Sequence, residues 1–184
     1  MNDDNIYAKY FFAGLKPDPD LTVSEWADKH RILTSISSSE PGPWQTDRTP
    51  YLKEIMDCLS PSHPCERVVF MKGAQIGGTE CGNNWMGFVI HHAPGPMLMV
   101  NPTVETSKRS SKMRIDPAIE NCPVLRERVN DPRARDSGNT VLMKEFPGGV
   151  LILTGANSAV GLRSMPIRYL FMDEVDGLRA RCWQ

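Results

Sequence analysis

An apolar run, Val68-Val69-Phe70-Met71, passes directly into Lys72-Gly73-Ala74-Gln75-Ile76-Gly77-Gly78-Thr79-Glu80. A short apolar run followed by glycines and then by Thr-Glu predicts a buried strand, a small-residue loop and the first turn of a helix. That succession constrains the chain strongly. Glycines in such a loop let backbone N–H groups approach an anion at the helix N-terminus, which is how phosphate-binding loops work. The common pattern is G-x-x-x-x-G-K-[ST]. With Thr79 in its last place, this chain reads K-x-x-x-x-G-G-T, with its lysine at the front and Gly78 where the lysine is usually found. Lys72 remains usable there, because a loop curled around a phosphate brings its two ends together. Its ammonium would act as a point charge on the β- and γ-phosphates. Thr79 would offer its hydroxyl to Mg²⁺. The plainer alternative is a strand-to-helix turn with Thr79 as N-cap.

The chain carries a second element of the same chemistry. Arg168-Tyr169-Leu170-Phe171-Met172-Asp173-Glu174 is an apolar strand ending in adjacent carboxylates. In a nucleotide hydrolase, the first acid at such a strand end holds Mg²⁺, and the second orients or activates the attacking water. Both strand ends must then lie side by side at the carboxyl edge of a sheet. Alone, each element has an ordinary reading, a capped turn or a strand closed by solvated acids. Found together in this order, they point to a nucleotide site with Lys72, Thr79, Asp173 and Glu174 at its centre.

The remaining pattern supports an open sheet with helices. Ser24 reads as the N-cap of a short helix, and residues 35–43 as an exposed loop. Thr49-Pro50 opens a helix reaching about Leu59, with Tyr51, Leu52, Ile55 and Leu59 on one face. Thr79–His91 is a helix and Pro96–Val100 a strand. Thr103–Ile115 is a charged helix ended by Asp116-Pro117. Thr140–Phe146 and Val150–Leu153 flank Pro147-Gly148-Gly149 as a hairpin, and Ile167–Met172 is a last strand. Met97, Met99 and Met172 are expected in the core. Strands alternating with helices predict an α/β fold with a mainly parallel sheet flanked by helices.

Composition narrows the class further. A net charge of −1 over 184 residues excludes a uniformly basic surface, so any nucleic-acid contact must come from local patches. No segment is long and apolar enough to span a membrane, and Met1-Asn2-Asp3-Asp4 does not open a signal peptide. The five cysteines lack C-x-x-C spacing and are odd in number, which reads as reduced thiols of a cytoplasmic protein, without zinc or disulfides.

Lys72–Thr79 together with Tyr169-Leu170-Phe171-Met172-Asp173-Glu174-Val175-Asp176 resembles the lambda-type (GpA-like) large terminase subunit of tailed phages. That family carries the lysine at the front of its deviant Walker A loop. Gly95–Thr103 and Gly155–Ser164 are similar to its intervening segments, so the resemblance covers roughly residues 25–184. It implies a P-loop NTPase fold of the RecA/helicase-like kind, with ATP and Mg²⁺ as cofactors. The implied activity is an ATPase that drives double-stranded DNA into a preformed capsid in the host cytoplasm. Its partners would be a small terminase subunit and the portal of the procapsid, and the full-length motor would be a homo-oligomer. By position, Lys72, Gly73, Ala74, Gln75, Ile76, Gly77, Gly78 and Thr79 would bind nucleotide, Thr79 and Asp173 would serve the metal, and Glu174 would be the catalytic carboxylate. Some members have an arginine at the place of Gln75. Arg163, just before the last strand, is the candidate substitute here, and a locally paired loop arginine is the alternative.

The family continues past this point with a coupling motif and a nuclease domain, whereas this sequence stops ten residues after Glu174. The expectation is therefore a core cut off after Walker B, whether as a gene fragment, a split gene or a shortened form. Residues 1–65 form an N-terminal arm and adenine-side segment, and 66–184 the P-loop ATPase core. Two other functions stay open. One is a remnant that binds nucleotide or partners without turnover. The other is a helicase-like DNA-dependent ATPase, favoured by the D-E-x-D form of Asp173–Asp176 and disfavoured by the front lysine.

Trp44-Gln45 and Tyr51 resemble the segment that packs on adenine in helicase-like ATPases, with aromatic faces for stacking and an amide for the base edge. The alternative is that Trp44 and Tyr51 anchor the arm to the core. Lys108, Arg109, Lys112 and Arg114 offer either a DNA-phosphate surface or a solvated helix face with Glu105 pairing to Arg109. His91-His92 suit a helix C-terminus, and as neighbours on a helix they face apart, which disfavours a metal site.

Overall fold

Strand β3 (Met97–Asn101) is buried at every residue because it is hydrogen-bonded on both edges and covered on both faces. The computed structural model describes residues 7, 10–12, 15, 19–36, 38, 40–129, 139–158 and 165–177. Among them, β4 (Met143–Phe146), β5 (Gly149–Gly155), β3 and β6 (Tyr169–Met172) form a four-stranded sheet in the order β4-β5-β3-β6. The β3 pairings with β5 and β6 are parallel, and β4 joins β5 as an antiparallel hairpin. The hairpin is the expected one. Pro147 presets its own φ at the turn, and Gly148 takes the left-handed φ of 86° that a side chain disfavours.

The helices are α1 (Val23–His30), α2 (Tyr51–Cys58), α3 (Gly78–His91), α4 (Val104–Ser110), α5 (Asp116–Asn121) and α6 (Pro123–Arg126). A two-stranded ribbon, β1 (Ile32–Leu33) with β2 (Gly42–Pro43), lies between α1 and α2 in sequence. This is the expected mixed α/β architecture, with a parallel-containing sheet and flanking helices. Among the described residues, no helix is long and apolar enough to cross a membrane.

Helix α3 is enclosed nearly all round, since residues from Gly78 to Ile90 are buried on several of its faces. Two glycines let it sit that close to its neighbours. A Cβ on Gly82 would lie 2.2 Å from Phe171 Cζ, and one on Gly87 would lie 2.3 Å from Trp26 Cη2. The helix is thus clamped between β6 and α1. The principal core gathers Trp26, Leu52, Met56, Met86, Phe88 and Ile90 with Met97 and Met99 from β3, while Leu98 and Val100 face a smaller cluster on the other side.

Several expectations change. The N-cap of α1 is Thr22, not Ser24. Thr22 Oγ1 accepts from the Glu25 N–H at 3.3 Å, and Glu25 accepts from the Thr22 N–H at 2.9 Å, a complete capping box. Ser24 instead donates to Asp57 of α2. The charged helix does not end at Asp116-Pro117. It widens into a π-turn over Ser111–Ile115 and continues as α5, with Pro117 in that helix's first turn, where a missing N–H costs little. Met172 is 38% exposed rather than core, because Tyr169 and Phe171 take the face of β6 that packs towards α3.

The largest correction concerns Val68–Met71, which is not a strand. The segment keeps a two-residue alternation, with Val68 and Phe70 half-buried while Val69 is 84% and Met71 96% exposed. What it lacks is a neighbour. No backbone hydrogen bond joins it to another described residue, and among the described residues β6 is the marginal strand of the sheet, paired with β3 alone. Apolar sequence alone does not make a strand without a ladder to join.

Candidate functional site

Asp173 follows β6 directly and stays on the ladder, its N–H donating to Val100 O at 3.0 Å. This sets its carboxylate at the carboxyl end of the parallel strands, the edge where open α/β sheets bind ligands. Thr79, on the first turn of α3, donates its hydroxyl hydrogen to Asp173 Oδ2 at 2.7 Å. Lys72 Nζ lies 3.8 Å from Asp173 Oδ1. The Glu174 N–H also donates to Asp173 Oδ1, at 3.1 Å, so the carboxylate, only 8% exposed as a residue, is satisfied from three directions. The two sequence elements therefore meet, with the lysine from the front of the loop and the hydroxyl from its end on a single acid.

The loop geometry explains why a lysine can stand first. Its stem lies across Gly78, where a Cβ would come within 2.4 Å of Lys72 Cδ. Glycine in the position where the common motif has lysine is thus the space that the displaced lysine occupies. Gly77, at φ 83°, makes the turn into α3. Gln75 also adopts a left-handed φ, 58°, and residues 71–75 are exposed. Tyr51, from α2, donates its hydroxyl to Ile76 O at 3.1 Å and ties the loop to the helix before it.

The other candidates are placed as follows. Glu174 is exposed beside Asp173, with a left-handed φ of 52°. Trp44 is 7% exposed, packs in the principal core, and its indole N–H donates to Thr46 at 3.0 Å. Gln45 is exposed and accepts from Arg48 Nε at 3.0 Å. Tyr51 remains 52% exposed beside the loop. Arg163 lies outside the described residues. On the charged helix, Glu105 pairs with Lys108 at 2.9 Å rather than with Arg109, while Arg109 and Lys112 are exposed. His91 Nδ1 accepts from Trp26 Nε1 at 3.0 Å, and the His92 ring lies tilted against Phe88. Cys81, behind the loop, is buried, and burial pushes its thiol up to about 12, leaving it unreactive at neutral pH.

Arg31 and Glu80, which no motif marks, meet beside the loop. Glu80 follows Thr79 and is held by Arg31 Nη2 at 3.1 Å, by Asn83 Nδ2 at 3.1 Å and by Arg114 at 3.7 Å. The only signal was a charged residue on a helix otherwise buried in apolar surroundings.

The donor set suits a hard cation with phosphate. A hydroxyl and a carboxylate converge, an ammonium lies alongside, and the glycine loop opens to solvent. Among the described residues, no three His, Cys, Asp or Glu side chains gather as metal ligands. Few protein ligands with several retained waters is the manner in which Mg²⁺ is commonly held beside phosphates.

Residues 38–182 match the family described as phage terminase large subunit gpA, ATPase domain. The chain belongs to that family. It is also similar to a terminase large subunit of Enterobacteria phage P21, at 28% identity over 156 residues, which cover 84% of this chain and 24% of that protein. The chain thus spans about a quarter of the length of the curated relative that it matches. No solved structure matches it.

Proposed function

We propose that this chain is the P-loop ATPase part of a DNA-packaging motor. In this reading, Lys72–Thr79 bind the phosphates of ATP, Thr79 and Asp173 hold Mg²⁺, and Glu174 orients the attacking water and accepts its proton. The observation that carries it is the convergence of Lys72 and Thr79 on Asp173. Lys72 and Thr79 both meet Asp173, so an ammonium, a hydroxyl and a carboxylate are gathered where phosphate and a divalent cation would bind. When bound at Thr79 and Asp173, Mg²⁺ would supply neutralisation of the phosphate charge. Tyr51, whose hydroxyl donates to Ile76 O of the loop, and Gln45 are our candidates for the adenine side. Arg163 is our candidate for the arginine that donates to the γ-phosphate in place of Gln75. Hydrolysis would drive double-stranded DNA into a procapsid through its portal, with a small terminase subunit and further copies of the large one as partners, in the host cytoplasm.

The test is ATP hydrolysis by the chain with and without double-stranded DNA, alongside Lys72→Ala and Glu174→Gln. We expect Lys72→Ala to abolish nucleotide binding, and Glu174→Gln to keep binding while losing turnover. Turnover indifferent to both substitutions would show that the site is elsewhere. A second reading, binding without turnover, is favoured by the exposed Val69 and Met71, since the segment feeding the loop joins no ladder among the described residues. Bound nucleotide that is never hydrolysed would select it.

A further inference from the structure

Arg31 is the largest charged side chain fully enclosed in the described structure, 1% exposed. Burying a guanidinium costs several kcal/mol unless its donors are matched. Here they are matched by acceptors of fixed direction. Nε donates to Asn84 Oδ1 at 3.2 Å, Nη1 to Ile32 O at 2.9 Å, and Nη2 to Glu80 Oε2 at 3.1 Å. The Arg31 backbone is itself held at the end of α1, its N–H donating to Ala27 O and its carbonyl accepting from the Trp44 N–H, both at 2.9 Å.

Adhesion does not require this charge. Helix α1 already packs on α3 through Trp26 against Gly87. What a planar fork adds is direction, because it matches its acceptors in one orientation only. Asn84 and Glu80 lie one turn apart on α3, so the fork sets the rotation of that helix about its axis. A slip of one residue turns an α-helix by about 100° and would carry Thr79 away from Asp173. We propose that Arg31 is a positioning residue for the nucleotide site. Acting through Glu80, it fixes the first turn of α3 in the rotation from which Thr79 reaches Asp173. Asn83 and the half-exposed Arg114 hold the second Glu80 oxygen and complete the clamp.

This inference rests on the assignment of Thr79 and Asp173 to the metal, and its test separates the two. Amide hydrogen exchange is followed along α3 in the full 184-residue chain, in Arg31→Lys and in Glu80→Ala. The lysine keeps charge and stem without the fork. The alanine cuts the link from the helix side and leaves Arg31 its other two acceptors, so it is the variant to read if Arg31→Lys does not fold. We expect exchange at Cys81–Asn84 to rise about tenfold while Val89–His91 stay within about twofold. A uniform rise along the helix, or none in the first turn, would overturn the inference. The Mg²⁺ concentration that half-saturates ADP binding should rise about threefold or more in both variants. If the unsubstituted chain binds no Mg²⁺–ADP, the nucleotide assignment fails, and the proposed positioning of a metal site fails with it. Binding with an unaltered Mg²⁺ requirement would overturn the positioning role alone.

Discussion

Thr79 Oγ1 and Asp173 Oδ2 are 94 residues apart in sequence and 2.7 Å apart in space, joined by a hydrogen bond that the hydroxyl donates. One group opens the loop helix and the other closes a sheet strand, so the bond reports that α3 and β6 are correctly docked. It also joins the two oxygen groups proposed to hold the divalent cation.

Replacing Asp173 with asparagine preserves shape and still accepts from Thr79, but removes the charge that faces Lys72. We expect unfolding to be little changed and the Mg²⁺-dependent part of ADP affinity to fall about tenfold or more, which corresponds to about 1.4 kcal/mol. Equilibrium nucleotide binding at varied Mg²⁺ measures it. An unchanged Mg²⁺ dependence would remove Asp173 from the metal site.

Gly82→Ala tests the clamp on α3. Alanine gains up to about 1 kcal/mol of helix propensity over glycine. Its methyl would meet the Phe171 ring, where an ideal Cβ already lies 2.2 Å away, and overpacking of that kind costs about 1–3 kcal/mol. The clash should win, because Phe171 belongs to a paired strand and cannot withdraw freely. Lower stability by denaturant titration, partly restored by Phe171→Leu, is the expected result.

His30 makes stability depend on pH. Burial, then Lys29, then His92 hold its imidazole below the ordinary value of 6.5, and the His91 ring stands 5.2 Å away. The unfolded chain therefore binds this proton more readily than the folded one. The contribution of His30 to stability is complete above pH 6.5 and is lost as pH falls below that value and through the depressed folded one. Melting temperatures recorded from pH 8 downwards should show a decline that His30→Gln makes shallower.

Among the described residues, Val69 and Met71 present exposed apolar side chains beside backbone that joins no ladder, and β6 is an edge strand with Leu170 41% exposed. Such edges template association. The double substitution Val69→Thr and Met71→Lys should lower concentration-dependent light scattering and leave the melting temperature within a few degrees. Scattering unaffected by the pair would place the sticky surface elsewhere.

Local signals were sufficient for much of this protein. Apolar runs without alternation marked β3 and β5, Pro147-Gly148 marked the hairpin, and the glycine loop and the strand ending in Asp173-Glu174 were readable because each is contiguous. The family could be recognised from the same residues. Where reading failed, the deciding fact was a neighbour. Met172 carries a core-like side chain on a face that no described residue covers fully, and Thr22 outcompeted Ser24 because Asp57 claimed the latter.

Sequence by itself determined which residues carry the chemistry of the proposed site and in what order, since propensity, glycine placement and charge are properties of short segments. Tertiary structure decided which of those segments found partners. It set Lys72 over Gly78 and turned Thr79 onto Asp173, fixing α3 through a buried Arg31 that has no local signature. It also left Val68–Met71 outside any ladder among the described residues. Hydrogen-bond ladders and buried ion pairs need a second segment at the right distance and angle, and no single stretch of residues specifies that.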